Sequence, residues 1–148
     1  MAEKVIVASD HAGLVLRTEV VKVARAAGWE VEDLGPFTAD RVDYPDFAKA
    51  VADAVVARQA RLGILVCGTG IGMSMAANKV AGIRAAVCRS EYEARMARAH
   101  NDANVLCLGE RVTGAGVAGS VVEAFLREDF LGGRHAVRVE QLAALDRR

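Results

Sequence analysis

The sequence predicts an α/β fold, a three-layer α/β/α sandwich with a five-stranded parallel sheet in the middle. Short apolar runs alternate along the chain with segments of helical periodicity. The run LGILVCG is almost continuously apolar, which is typical of a parallel strand covered on both faces. Each of the five apolar runs precedes a helical segment, so right-handed crossovers would give a Rossmann-like arrangement.

The five predicted strands are KVIVAS from Lys4, WEVEDLG from Trp29, LGILVCG from Leu62, IRAAVC from Ile83 and NVLCLG from Asn104. The predicted helices cover 13–27, a segment from Pro45, the end of the glycine loop to about 78, a segment after Ser90, 116–127, and a C-terminal segment at about 134–147. In the first helix, Leu16, Val20, Val23 and Ala27 form the apolar set, with Arg17 at a polar position. Glu93 follows Ser90 in the spacing of a capping box.

Length and composition predict one domain over residues 1–148. Nineteen basic residues balance nineteen acidic ones, which argues against nucleic acid or an anionic membrane as a partner. The N-terminal segment lacks a signal-peptide pattern. The three cysteines have no metal-ligand spacing, so they predict reduced thiols in a cytoplasmic protein without a metal site.

Ligands of such folds bind beyond the carboxyl ends of the strands. This rule selects four places, namely Asp10-His11, the segment 67–72, Arg89 and Glu110-Arg111.

The segment 67–72 reads Cys-Gly-Thr-Gly-Ile-Gly. Its three glycines allow backbone N–H groups to approach a ligand, and the following helix adds a partial positive charge. These features predict an anion-binding loop, although a tight turn without a ligand is the alternative. The spacing matches neither of the two common nucleotide-binding glycine motifs. Cys67 lies directly before the loop, where a thiolate can be stabilised, whereas Cys88 and Cys107 are interpreted as small buried apolar residues.

Further polar groups could complete a reaction centre. His11 follows Asp10, and His100 precedes Asn101. Arg134 and Arg138 are one helical turn apart and could grip a phosphate, although a solvated basic chain end is the alternative. A base beside an anion hole, with a histidine and a phosphate clamp, is typical of proton abstraction next to a carbonyl.

Topology separates two of these groups. His100 lies in a helix-to-strand connection, which falls at the amino edge of the sheet, whereas Cys67 lies at the carboxyl edge. The sequence therefore predicts a site shared between the subunits of a two-fold homodimer.

The chain resembles the type B ribose-5-phosphate isomerase family, which includes the galactose-6-phosphate isomerase subunits. The matching segments cover nearly the whole chain: SDHAG from Ser9, DYP from Asp43, CGTGIGMSMAANK from Cys67, GIRAAVC from Gly82, RAHNDANVLCLGER from Arg98 and GGRHAVRV from Gly132.

The resemblance implies an aldose–ketose isomerisation through a cis-enediolate, without a metal or an organic cofactor. It implies that Cys67 is the carbon-proton base, that His100 opens the furanose ring, and that the loop from Gly68 through Gly70 and Ile71 to Gly72 stabilises the enediolate. The implied contacts to sugar hydroxyls and phosphate come from Asp10, His11, Asn101, Arg111, Arg134 and Arg138, with Thr69 and Tyr44 as further pocket residues. Some relatives use a glutamate near position 73, but Met73 stands here, so the resemblance is to the cysteine-type members.

Ribose 5-phosphate and ribulose 5-phosphate are the expected substrate pair. Tetrulose phosphate, allose 6-phosphate or galactose 6-phosphate are alternatives within the same chemistry. Outside that chemistry, the chain could be a non-catalytic phosphate- or nucleotide-binding module, or a catalytically inactive subunit. A homodimer is expected, and pairing of dimers into a tetramer is left open.

Overall fold

The computed structural model describes residues 2–146. Five strands form one sheet in the order β2-β1-β3-β5-β4, and every neighbouring pair is parallel. The strands are β1 Lys4–Ser9, β2 Glu30–Asp33, β3 Leu62–Cys67, β4 Ala85–Val87 and β5 Val105–Gly109. The predicted parallel α/β fold is therefore confirmed, with strands close to those expected from the apolar runs.

The helices are α1 Leu14–Ala26, α2 Tyr44–Val56, α3 Ile71–Ala77, α4 Glu91–Ala99, α5 Ala115–Arg127 and α6 Arg134–Ala144. A single 3₁₀ turn, His11–Gly13, precedes α1. Ser90 caps α4 as predicted, because its hydroxyl accepts a hydrogen bond from the Glu93 amide. The C-terminal helix ends at Ala144, and residue 147 of the predicted segment lies outside the described residues.

Helices cover both faces of the sheet, and the alternation of side chains along β3 shows how. Ile64 and Val66 pack in the core formed with α1, α4 and α5, whereas Leu65 and Cys67 pack in the core formed with α2 and α3. All six β3 residues are buried, which explains why this strand is nearly all apolar. These two cores make the three layers.

The strand order creates a crevice at the carboxyl edge of the sheet. The chain leaves β1 toward β2 on one side, and it leaves β3 toward β4 on the other side. Parallel sheets bind ligands where the strand order diverges in this way. Asp10 follows β1 and Cys67 ends β3, so both residues border this crevice.

Two expectations about α1 are wrong. Ala27 is exposed because the helix ends at Ala26, and Arg17 is buried rather than solvated. The Arg17 Nη1 donates to the Ser9 hydroxyl at 2.6 Å, and its Nε lies 3.1 Å from a carboxylate oxygen of Asp33. Burial is tolerated because the charge is paired and hydrogen-bonded.

Helix α6 leaves most of its surface uncovered. Its buried residue is His135, while Val137 and Leu142 are exposed. Within residues 2–146, no helix combines the length and apolar character needed to cross a membrane.

Candidate active site

Cys67 ends β3, and the glycine loop turns back over its sulfur. The amide of Gly70 donates a hydrogen bond to the Cys67 Sγ at 3.1 Å. Gly70 has a φ of 80°, and a Cβ at this position would lie 3.0 Å from the Leu108 carbonyl carbon. Glycine is therefore required both for the left-handed turn and for the close approach to β5. The result is a sulfur that accepts a hydrogen bond from the loop backbone.

Arg111 and Tyr44 flank the loop. The Arg111 amide donates to the Gly68 carbonyl oxygen at 3.0 Å, and its guanidinium would lie 3.2 Å from a Cβ at Gly68. The Tyr44 ring lies against Gly72, where a Cβ would approach ring carbons to 2.7 Å. The loop thus carries a cationic side chain on one side and an aromatic side chain on the other.

Thr69 and Ile71 occupy the exposed rim of the loop. The Ile71 amide donates to the Thr69 hydroxyl oxygen at 3.2 Å. A hydroxyl group can accept and donate at the same time, so this bond does not use the hydroxyl hydrogen of Thr69. Ile71 begins α3 and is 52% exposed.

The turn after β1 places a carboxylate at the same edge. Asp10 is buried, and its amide donates to the Val66 carbonyl oxygen at 3.1 Å. Its carboxylate accepts from the Ala12 amide at 2.9 Å. These two bonds fix the backbone and the side chain of Asp10 next to the end of β3.

The same turn supplies an imidazole. The His11 Nδ1 accepts from the Val42 amide at 3.2 Å. Asp10, His11 and Tyr44 line one open cleft. We call these three residues, together with Cys67–Gly72 and Arg111, the cysteine half-site.

His100 and Asn101 lie at the opposite edge of the sheet. Helix α4 starts after β4 and runs back to the amino edge, where His100 caps its end and β5 begins at Val105. The ring of His100 stacks on His135 of α6, with ring centroids 4.1 Å apart and planes inclined by 11°. Arg134 and Arg138 flank His135 along α6. We call His100, Asn101, Arg134, His135 and Arg138 the histidine half-site.

His135 is the member of this group that the sequence did not single out as a pocket residue. Removal from water lowers the pKa of His135, and the neighbouring His100, Arg134 and Arg138 lower it further. The ring therefore favours the neutral form. The sequence signal was its position between two arginines on one helix, which does not reveal the stacking on His100.

Cys88 and Cys107 are buried in the two cores on either side of the sheet. Burial, with a smaller contribution from Glu93, raises the pKa of Cys88 to about 12. Burial also raises the pKa of Cys107. Both thiols stay protonated at neutral pH, as their interpretation as buried apolar residues expects.

Glu110 and Arg89 follow strands at the carboxyl edge but make structural contacts. The Glu110 carboxylate accepts a hydrogen bond from the Leu16 amide at 2.8 Å, so it caps α1. The Arg89 amide donates to the Glu93 carboxylate before α4. Glu110 thereby connects the turn after β5, which carries Arg111, to the first turn of α1.

A family model described as Ribose/Galactose Isomerase matches residues 5–142. The chain belongs to the ribose/galactose isomerase family. This result confirms the resemblance found in the sequence motifs.

Relatives in this family match over nearly full length. Ribose-5-phosphate isomerase B of Escherichia coli is 46% identical, and the match covers 99% of this chain and 98% of that protein. The solved structure of ribose-5-phosphate isomerase B from Clostridium thermocellum is 49% identical with a TM-score of 0.94, covering 97% of each chain. The type B ribose 5-phosphate isomerase of Trypanosoma brucei is also 49% identical, with a TM-score of 0.96, covering 98% of this chain and 99% of that one.

Proposed function

We propose that this chain interconverts D-ribose 5-phosphate and D-ribulose 5-phosphate through a cis-enediolate, without a metal or an organic cofactor. The observation that carries the proposal is the hydrogen bond from the Gly70 amide to the Cys67 sulfur, in a glycine loop at the ligand-binding edge. The Escherichia coli, Clostridium and Trypanosoma relatives are named ribose-5-phosphate isomerases, which supports ribose 5-phosphate as a substrate.

Ring opening comes first. The furanose opens when the proton of the C1 hydroxyl is removed and the ring oxygen O4 gains a proton, which leaves an aldehyde at C1. His100 performs this transfer, because imidazole can accept and donate a proton near neutral pH. Asn101, its neighbour in the chain, holds a sugar hydroxyl.

Isomerisation follows at C1 and C2. The Cys67 thiolate removes the C2 proton, the electron pair forms the C1=C2 bond, and negative charge moves to O1. The loop 68–72 stabilises this charge, and the Thr69 hydroxyl donates to the enediolate oxygens. A proton moves from O2 to O1, Cys67 returns its proton to C1, and a ketone forms at C2.

The remaining residues of both half-sites bind the rest of the sugar. Asp10 and Tyr44 contact hydroxyl groups. The phosphate is held by His11 and Arg111 from the cysteine half-site and by Arg134 and Arg138 from the histidine half-site, because guanidinium groups bind phosphate oxygens in pairs.

The two half-sites require two chains. His100 lies at the amino edge of the sheet and Cys67 at the carboxyl edge, with the sheet between them. A two-fold homodimer brings the histidine half-site of one chain against the cysteine half-site of the other. The whole chain acts as one isomerase domain in the cytoplasm, where its three free cysteines stay reduced.

The deciding experiment is a coupled assay with ribose 5-phosphate, with chelator present, for wild type and for Cys67→Ala. We expect wild-type turnover and a loss of about a hundredfold or more in the variant, as for a missing general base. Cys107→Ala is the matched control and should retain turnover. Without wild-type turnover, four- and six-carbon sugar phosphates are the next substrates, and inactivity with all of them would favour a binding module.

A further inference from the structure

The turn that follows His100 is held by two arginines that meet on one carboxylate. The Arg98 Nη1 donates to one oxygen of Asp102 at 3.1 Å, and the Arg84 Nη2 donates to the other oxygen at 3.3 Å. The Arg84 Nε also donates to the Asp102 carbonyl oxygen at 2.8 Å. Both carboxylate oxygens and the carbonyl oxygen of this residue are therefore fixed from two directions.

The arginines come from different elements. Arg98 belongs to the last turn of α4 and is 3% exposed, and its Nη1 also donates to the Ala103 carbonyl oxygen at 2.6 Å. Arg84 lies just before β4, and its own backbone is held because its amide donates to the Asn104 side-chain oxygen at 2.7 Å. Asp102 consequently connects the end of α4 to the starts of β4 and β5.

The backbone of Asp102 adopts a conformation that is uncommon for a residue with a side chain. Its φ is 48°, in the left-handed region, and its amide donates to the Arg98 carbonyl oxygen at 3.2 Å. Such a residue ends a helix and sets the direction of the chain behind it. His100 and Asn101 lie between Arg98 and Asp102, so both ends of their short segment are fixed by this one pairing.

We infer that Asp102 is a positioning residue for His100, and that the pairing of Asp102 with Arg84 and Arg98 sets the place of the imidazole for furanose ring opening. This inference rests on the proposed function. An asparagine in place of Asp102 tolerates the left-handed backbone but offers one acceptor oxygen to two guanidiniums, and it removes the carboxylate that is hydrogen-bonded to buried Arg98. The turn would then shift, while the cysteine half-site at the other edge keeps its own contacts.

Ring opening and proton abstraction can be measured separately because the two substrates differ. Ribose 5-phosphate closes a furanose through O4. Ribulose 5-phosphate is acyclic, because its C5 oxygen carries the phosphate and cannot close a ring on C2. Exchange of the ribulose 5-phosphate C1 protons in D₂O, followed by NMR, therefore needs Cys67 but no ring opening. The 4-deoxy analogue of ribose 5-phosphate lacks O4 and cannot form a furanose. Its turnover therefore also measures proton abstraction without ring opening.

The variants are Asp102→Asn, which removes the carboxylate, and Arg84→Gln, which removes one of the two guanidiniums that bind it. We expect kcat with ribose 5-phosphate to fall about tenfold or more, while C1 exchange and turnover of the 4-deoxy analogue stay within about twofold of wild type. Asp53→Asn removes an exposed carboxylate that pairs with Lys49 and should change neither readout. Val51→Ala, in the core on the other face, controls for lost stability and should lower both readouts equally, if at all.

A parallel fall of both readouts in Asp102→Asn and Arg84→Gln would overturn the inference, since that pattern means general destabilisation. Unchanged ribose 5-phosphate turnover in both variants would also overturn it. If the wild-type protein neither converts ribose 5-phosphate or its 4-deoxy analogue nor exchanges the C1 protons of ribulose 5-phosphate, the proposed function and this inference are both overturned. If only the variants lose activity, and only with ribose 5-phosphate, the result supports both.

Discussion

The amide of Gly70 and the sulfur of Cys67 are 3.1 Å apart, joined by a hydrogen bond that closes the glycine loop over the end of β3. This contact joins two features that the sequence could only suggest separately, a cysteine at a strand end and an anion-binding loop. The loop backbone contacts this sulfur directly. The reactivity of this thiol is therefore the most direct test of the site.

Iodoacetamide should inactivate the protein through Cys67. Cys88 reacts slowly, because its pKa of about 12 leaves a thiolate fraction of about 10⁻⁴ at pH 8. Peptide mapping by mass spectrometry should show modification of Cys67 in step with the loss of activity, and ribose 5-phosphate should slow both. The Cys67→Ala variant should label weakly. Equal labelling of all three cysteines, without protection, would contradict the assignment of the base.

Replacement of the loop glycines should separate backbone strain from pocket shape. Gly70→Ala places a Cβ on a left-handed backbone against Leu108 and should lower the free energy of unfolding by about 1–3 kcal/mol, together with activity. Gly72→Ala meets the Tyr44 ring, which is 39% exposed and can move, so KM should rise with little loss of stability. Chemical denaturation and steady-state kinetics measure these effects.

The control for both glycine variants is Gly116→Ala. A Cβ at this helical position meets no atom within 4 Å, and alanine is the better helix former. Stability should therefore stay the same or rise slightly. A Gly70→Ala protein as stable as this control would show that the loop backbone is not strained by a side chain.

The fold could be predicted from the sequence because each strand and helix is indicated by residues close together in the chain. The apolar runs and helical spacings identified the strands and most helix limits, since periodicity and capping residues such as Ser90 lie within a few positions of one another. Arg17 is a residue for which the local pattern gave the wrong expectation. Its position on the helix is typical of a solvated residue, but Ser9 and Asp33, on two strands, supply the partners that bury it.

The site could be predicted only in part, because sequence patterns report contacts between nearby residues and not contacts between distant segments. Residues of the cysteine half-site follow strands whose carboxyl ends share one edge of the sheet, so their proximity could be expected. The stacking of His135 on His100 depends on the connection between α5 and α6, where the Leu131 amide donates to the Ala99 carbonyl oxygen at 3.0 Å. Contacts of this kind join segments about thirty residues apart, and no local pattern encodes them.

Stability should depend on pH through His135. Its folded-state pKa lies below the ordinary value of 6.5, so the unfolded chain binds more protons as the pH falls through 6.5. Protonation therefore destabilises the folded state at acidic pH, and the loss stops once the pH is below the folded pKa. The thermal midpoint should fall more between pH 7.5 and pH 5.5 for wild type than for His135→Gln. An equal fall in both proteins would contradict the neutral ring.

Subunit mixing tests whether the site is shared. Cys67→Ala and His100→Ala should each be nearly inactive alone. After random exchange, half of the dimers are mixed, and each mixed dimer has one site built from a wild-type cysteine half-site and a wild-type histidine half-site. Activity should therefore recover to about a quarter of wild type.

The matched mixture is Cys67→Ala with Asp10→Ala, whose altered residues both belong to the cysteine half-site. Each site of that mixed dimer carries one defect, so no recovery is expected even though subunits exchange equally. Native mass spectrometry of isotope-labelled subunits measures the exchange in both mixtures. Recovery limited to the first mixture requires that His100 act on a substrate held by the other chain's Cys67. Complete exchange without recovery in either mixture would place both residues within one chain's site, which the opposite edges of the sheet argue against.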